Sequence, residues 1–233
     1  MKTGTLYGVG IGPGDPRYLT LRAADVLRSA DVVFTVISPN AESSTSRAVV
    51  EYLKPRGEIR LQVFSMSRDK AVREEQVRAN AEAIIAELRA GRDCAFATLG
   101  DAMTYSTFGY VLKIIRRAIP DLNLEIVPGI TSFATLAAKA GAVLVENLEQ
   151  LRVIPSFRSD MAETLDFPKG STTILLKTYR SRKALLDRLA REENVEIVYG
   201  EQLAMEGQTL LTDVDAIRER SEESLSLIMV KKP

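Results

Sequence analysis

Gly8-Val9-Gly10-Ile11-Gly12-Pro13-Gly14-Asp15 closes the first apolar run of the chain, Leu6 to Ile11. Four glycines within seven positions at a strand end allow positive φ and let backbone approach a ligand closely. In open parallel sheets, ligands bind just beyond the carboxyl ends of the strands. The loop is not the dinucleotide fingerprint, because Pro13 stands where that motif needs a glycine to open a helix. It is not a Walker loop either, having no Gly-Lys-Ser/Thr. A tight strand-to-loop turn with no ligand is the plain alternative.

Further strand-length apolar runs follow at Asp31 to Ile37, Ile59 to Phe64, Cys94 to Leu99 and Leu124 to Val127. Helical patterns separate them. Thr20 is placed to cap a helix through Arg28, and Glu74 to Ala90 sets Val77, Ala81, Ile84 and Leu88 on one face. Tyr105 to Ala118 reads as a third helix, closed by Pro120. Strands apolar on both faces, alternating with helices, predict an α/β domain with a parallel sheet. After the turn Pro128-Gly129 and a helical stretch from Thr131 to Ala140 come new runs at Leu151 to Pro155, Thr172 to Lys177, Val195 to Tyr199 and Leu225 to Lys231. They predict a smaller α/β domain over 129–233 after a first domain over 1–128. Pro155 to Lys169 reads as irregular, with a helical turn at Met161 to Leu165.

Composition narrows the chemistry. The 233 residues are 45% hydrophobic and 27% charged, as in an ordinary globular protein. Thirty-one basic and 31 acidic residues cancel, so no global field draws the chain to nucleic acid or to an anionic membrane. The absence of histidine removes imidazole metal sites and the Ser-His and Cys-His nucleophile pairs. Cys94, the single cysteine, can form neither an internal disulfide nor a cysteine cluster for metal, and reads as a small buried strand residue in a cytoplasmic protein. No metal site is expected. No apolar stretch approaches the ~20 residues that span a bilayer, and no targeting segment is read at the start.

Two more loops stand at strand ends. Thr98-Leu99-Gly100-Asp101-Ala102-Met103-Thr104-Tyr105-Ser106-Thr107 combines accessible backbone, one carboxylate and several hydroxyls. Such a set can hold a ribose or a cation, or Asp101 or Ser106 can simply cap the next helix. Val127-Pro128-Gly129-Ile130-Thr131-Ser132-Phe133 opens a helix with hydroxyls, where Thr131 and Ser132 can cap or touch a ligand.

With these three loops in this order and spacing, the chain resembles the tetrapyrrole (corrin/porphyrin) methylases. The marks of that family are a Val-Gly-x-Gly-Pro-Gly-Asp loop, a Gly-Asp-Pro loop and a Pro-Gly-Ile/Val-Thr/Ser segment. The match covers nearly the whole chain. It is most similar to the precorrin-2 / cobalt-factor II C(20)-methyltransferases, through Tyr105-Ser106-Thr107-Phe108 after Asp101, Phe64-Ser65-Met66-Ser67-Arg68-Asp69, and the opening Gly4 to Gly10. The resemblance implies a two-domain α/β fold distinct from the Rossmann-like methyltransferases. S-adenosylmethionine would lie in the interdomain cleft, and the protein would be a cytoplasmic homodimer. Cofactor contacts carry over to Pro13, Leu99, Gly100, Asp101, Thr104, Thr131 and Ser132, and in the second domain to Leu176 and Ala204. Ala102 stands where the family usually has proline and Leu176 where methionine is common, so the loop after Asp101 is expected to be looser.

The implied substrate is a ring bearing many carboxylates, so a chain of zero net charge must supply local cations. Candidates are Arg17, Arg68, Lys70, Lys177 and Arg180, with Arg182 and Lys183 beside them; each also reads as an ordinary solvated charge. Methyl transfer from a sulfonium needs alignment and desolvation more than an enzyme nucleophile. Tyr105, Asp101 and Glu201 are the weak candidates for a later proton acceptor. The competing readings are a methylase acting on another corrin carbon or on uroporphyrinogen III, one acting on RNA or a modified protein, a nucleotide-dependent oxidoreductase, and a ligand-binding module without turnover.

Overall fold

The computed structural model describes residues 2–39, 41–65, 67, 69–155, 158–221 and 225–233. They form two compact units, Met1–Thr131 and Ser132–Pro233.

In the first unit, strands β1 (Thr5–Gly10), β2 (Val32–Ile37), β3 (Glu58–Val63), β4 (Cys94–Thr98) and β5 (Asn123–Val127) form one sheet in the order β3-β2-β4-β1-β5. Every pairing is parallel. Helices α1 (Leu21–Ser29) and α2 (Thr45–Tyr52) cover one face over Val9, Val33, Ala95 and Ala97. Helices α3 (Lys70–Arg89) and α4 (Phe108–Ala118) cover the other over Leu6, Phe34, Cys94 and Phe96. Successive β4 residues thus serve opposite cores, which is why all five positions of that strand are buried. Phe96 anchors its side with Phe64 at 6.1 Å and Phe108 at 5.4 Å between ring centroids. Each such ring stabilises the fold by about 1.5–3 kcal/mol through removal from water.

The connections place the site. From β1 the chain crosses by α1 to β2 on one side, whereas from β4 it crosses by α4 to β5 on the other. The adjacent strands β1 and β4 therefore flank a switch point, where a sheet of this kind opens a crevice at its carboxyl edge. The glycine loop and the Gly-Asp loop leave from those two strands.

The second unit holds β6 (Gln150–Ile154), β7 (Ser171–Leu176), β8 (Glu196–Glu201), β9 (Thr209–Leu211) and β10 (Ser226–Lys232) in the order β6-β7-β10-β8-β9. Only β6 with β7 is parallel, so this sheet is mixed. Helix α5 (Ser132–Ala140) packs Leu136 against Ile174, Val198 and Met229 on one face. Helices α6 (Arg182–Leu189) and α7 (Val214–Glu219) pack Leu185, Leu186 and Ile217 against Leu175, Tyr199 and Ile228 on the other.

Several expectations shift. Helix α4 begins at Phe108, not Tyr105: Tyr105 sits at φ 50, and the Ser106 hydroxyl accepts the Phe108 N–H at 3.1 Å, so the residues between form a turn. Helix α3 starts four residues before Glu74, because Asp69 accepts the Ala71 N–H at 2.8 Å and caps it. The break between units falls after Thr131, which leaves the Pro128-Gly129 turn with the first sheet. The stretch from Pro155 to Lys169 contains a 3-10 turn, Ser159–Thr164, while Ser156 and Phe157 lie outside the described residues.

Candidate functional site

Beyond the strand ends the first two loops continue to pair. Ile11 N–H donates to Thr98 O at 3.0 Å, Gly12 N–H to Gly100 O at 3.1 Å, and Gly100 N–H to Gly12 O at 2.7 Å. Gly12 and Gly100 do this at φ 73 and 71, conformations that side chains disfavour. The third loop closes on both. A Cβ on Gly10 would lie 2.6 Å from Gly129 N and 2.7 Å from Gly100 O, and a Cβ on Gly129 would lie 2.1 Å from Gly100 O. The expectation that these glycines admit a ligand is thereby divided. Gly10 and Gly129 are needed because three backbones touch one another. At Gly100 a Cβ would meet nothing within 4 Å, so its face is open.

Asp101 ties the loops together. One carboxylate oxygen accepts Met103 N–H and the Thr104 hydroxyl, both at 2.9 Å, and the other accepts Gly129 N–H at 3.1 Å. Burial opposes its ionisation, but these bonds and the Thr104 N–H together hold the carboxyl below the usual aspartate value. A carboxylate so satisfied is a poor proton acceptor and a strong positioning group. Ala102 is fully buried in the α3–α4 core, so the residue in the usual proline position is pinned by packing, contrary to the looser loop expected. The Ser106 hydroxyl donates to Thr98 Oγ1 at 3.2 Å, while Met103 and Tyr105 are more than half exposed beside it.

Of the other candidates, Pro13 is buried in the first loop, Leu99 half-buried beside Gly100, and Thr131 half-buried at the end of the first unit. Five of the carried-over positions, Pro13, Leu99, Gly100, Asp101 and Thr104, thus share the carboxyl edge at the switch point, with the Pro-Gly turn bonded to them. Ser132 opens α5 in the second unit. There Leu176 ends β7 opposite Leu227, and Ala204 lies at φ 58 in the turn after β8, its N–H donating to Gln208 Oε1 at 2.9 Å. Glu201 pairs with Ser226 and Leu176 with Leu227 at the start of β10, so both candidates stand at one edge of that sheet.

The cations divide. Arg17 is 83% exposed and bound bidentately by Asp15, with Nη2 to Oδ2 at 2.6 Å, so its charge is already answered. Lys70 opens α3 at 3.5 Å from Glu74. Lys177, at φ 55, and Arg180, stacked 5.3 Å from the Tyr179 ring, are exposed. Arg182 is buried, donating to the carbonyls of Arg220 and Ser221 and lying 5.6 Å from the Tyr199 ring. It is an internal tether rather than a rim cation, because the apolar face of α6 carries it inward. Arg68 lies outside the described residues.

Glu201 is also internal. It accepts the Tyr199 hydroxyl at 2.5 Å and is paired with Arg220. Burial works against its charge, but Arg220 and then Tyr199 overcome it and leave the carboxyl below its ordinary range. Tyr199 is pushed up to about 12, first by burial and then by Glu201. This arrangement holds Glu201 as an anion with its oxygens occupied. Cys94 is buried, and desolvation pushes its thiol up to about 12, the inert state expected of it. The Asp101–Gly129 bond and the Tyr199–Glu201–Arg220 network escaped sequence reasoning, since no local spacing marks either.

The model of the tetrapyrrole (corrin/porphyrin) methylases matches residues 5–217. The chain belongs to this family. A cobalt-precorrin-2 C(20)-methyltransferase of Salmonella typhimurium is 36% identical over 76% of this tetrapyrrole methylase and 73% of its own length. A precorrin-2 C(20)-methyltransferase of Sinorhizobium is 28% identical over 97% of this chain and 95% of its own. Among solved structures, a uroporphyrin-III-C-methyltransferase from Thermus thermophilus matches with TM-score 0.71 and 26% identity, covering 98% of this methylase and 94% of that chain. No described helix of the methylase is long and apolar enough to cross a membrane.

Proposed function

We propose that this methylase transfers a methyl group from S-adenosylmethionine to carbon 20 of precorrin-2 or cobalt-factor II, a step of cobalamin biosynthesis. The relatives named above support this substrate, and the three packed loops at the switch point are the observation that carries the site. The open face of Gly100 fits a bulky cofactor: a Cβ there would fill space that no protein atom occupies. Pro13, Leu99, Gly100, Asp101 and Thr104 would hold it, with Thr131, Ser132, Leu176 and Ala204 as further contacts. When bound, S-adenosylmethionine supplies an electrophilic methyl whose C–S bond breaks as the new C–C bond forms, leaving S-adenosylhomocysteine.

The protein's own part is positioning. Asp101 fixes the spacing of the Gly-Asp and Pro-Gly loops, and the loop backbones shield the reacting atoms from water. The methylated carbon must then release a proton. The ionised, fully bonded Asp101 and Glu201 are weak acceptors, which leaves solvent to take it. Of the candidate cations, Lys177 and Arg180 make no ion pair among the described residues and are available to substrate carboxylates, whereas Lys70 already stands 3.5 Å from Glu74. The family resemblance further supports a cytoplasmic homodimer.

Isothermal titration of the purified protein with S-adenosylmethionine and S-adenosylhomocysteine, followed by mass spectrometry of precorrin-2 and cobalt-factor II after incubation, tests the reading. It requires cofactor binding and a gain of one methyl on at least one acceptor. Cofactor binding with methylation of uroporphyrinogen III alone would move the substrate elsewhere in the family. Absence of cofactor binding would remove the reading.

A further inference from the structure

Helices α3 and α4 lie side by side on one face of the first sheet, and a groove of about 1050 Å³ runs between them. That exceeds the ~300–1,000 Å³ of ordinary small-molecule pockets. Its floor is apolar: Val77, Ile85, Ile114 and Ala118 line it, continuous with the core beneath, and the Tyr110 ring stands 61% exposed at its side. Its rim is basic. Lys70, Arg73, Arg78, Arg89, Lys113 and Arg117 line it together with Glu74 and Glu82, a local excess of cations in a protein whose charges cancel overall.

Four of these cations are occupied. Lys70 and Arg78 meet Glu74 and Glu75 at 3.5 Å, while Arg73 and Arg89 donate to the Ser67 and Ala118 carbonyls. Lys113 and Arg117 are not. They are exposed on α4, one turn apart, and neither makes an ion pair among the described residues. Like charges at this spacing destabilise a helix by a few tenths of a kcal/mol, a cost that an anion in the groove would reverse. An apolar floor of this area ringed by cations from two helices matches a flat, apolar-faced molecule with carboxylates around its periphery.

We propose that the α3–α4 groove is a second binding site for such a polycarboxylated macrocycle, separate from the loops at the switch point. The ligand class rests on the tetrapyrrole reading; the groove itself does not. One end of the groove is bounded by Thr107, six residues beyond Asp101, so a molecule held there waits beside the site of chemistry.

The probe is uroporphyrin I, a stable octacarboxylate porphyrin, bound to the full chain and followed by fluorescence and equilibrium dialysis. Two probes per chain are expected for the wild type and one for Lys113→Glu/Arg117→Glu, with the groove affinity falling roughly tenfold or more. Both side chains are exposed, and an unchanged thermal transition confirms that the variant is folded. Should the proposed reaction site be wrong, one probe binds the wild type and none binds the variant, which still supports the groove. Equal stoichiometry and affinity in the two proteins, or no binding to either, overturns it. Displacement of the groove probe by polyglutamate at equal carboxylate concentration would assign the groove to acidic polypeptides and also overturn it.

Discussion

Replacing Gly129 by alanine tests whether the three loops are one packed unit. The added methyl would stand 2.1 Å from Gly100 O and 2.7 Å from Gly10 C. Both are backbone atoms fixed by the sheet and by the Gly12–Gly100 pair, so no side chain can swing aside. The loops must part by more than an ångström to reach ordinary contact at 3.4 Å, which pulls Gly129 N–H from its 3.1 Å bond to Asp101. Overpacking costs about 1–3 kcal/mol, and loss of a hydrogen bond to a charged group about 1.5–3 kcal/mol. Together they amount to about 2.5–6 kcal/mol, or a fall in Tm on the order of 10 °C for a protein of this size. Scanning calorimetry measures it, with Gly141→Ala as control: Gly141 has φ 64 and open space, so only backbone strain of about 1–2 kcal/mol applies there. A Gly129→Ala protein melting no lower than the Gly141→Ala control would refute the packing argument.

Gly100→Ala should separate ligand approach from loop packing. Its methyl meets no protein atom within 4 Å, so Tm should fall by only a few degrees while affinity for S-adenosylmethionine drops about tenfold or more; unchanged affinity in calorimetric titration would dissociate Gly100 from the cofactor. Asp101→Asn should alter acid stability. The folded carboxyl titrates below the usual aspartate value of 3.8, so its stabilisation is fully present above that value and fades as pH falls through the folded pKa. The urea midpoint of the wild type should therefore exceed that of the variant by a constant margin from pH 7 to about 5 and converge on it below about pH 4; a margin unchanged at pH 3 would contradict the shift. Cys94 should resist thiol reagents in the native protein and react fully in denaturant, because its thiol is buried and its pKa is about 12; rapid native labelling would contradict that placement.

How much was legible follows from the range of the forces. Strands apolar at every position, such as Cys94 to Thr98, announce a sheet covered on both faces, and the parallel five-stranded sheet has that form. Glycines that end β1 were visible as a motif, but not whether they yield to a ligand or to each other. That depends on Gly10, Gly100 and Gly129, which meet only when the sheet forms. Short helices such as α2, whose first turn is Thr45-Ser46-Arg47, were silent because their stability comes from the Ser44 cap and packing rather than from periodicity. Arg182 read as a surface cation because a charge at a helix start is normally solvated; its burial is a tertiary result. Glu201 likewise took its partners from Tyr199 two residues away and Arg220 nineteen away, a distance no local pattern spans.

The most direct test of the account is to supply S-adenosylmethionine labelled with ¹³C on its methyl group, together with precorrin-2 or cobalt-factor II, and to locate the label by NMR. The account predicts a single labelled methyl on carbon 20 and an equivalent of S-adenosylhomocysteine. Label on any other carbon, or an unlabelled macrocycle from a protein that binds the cofactor, would contradict it.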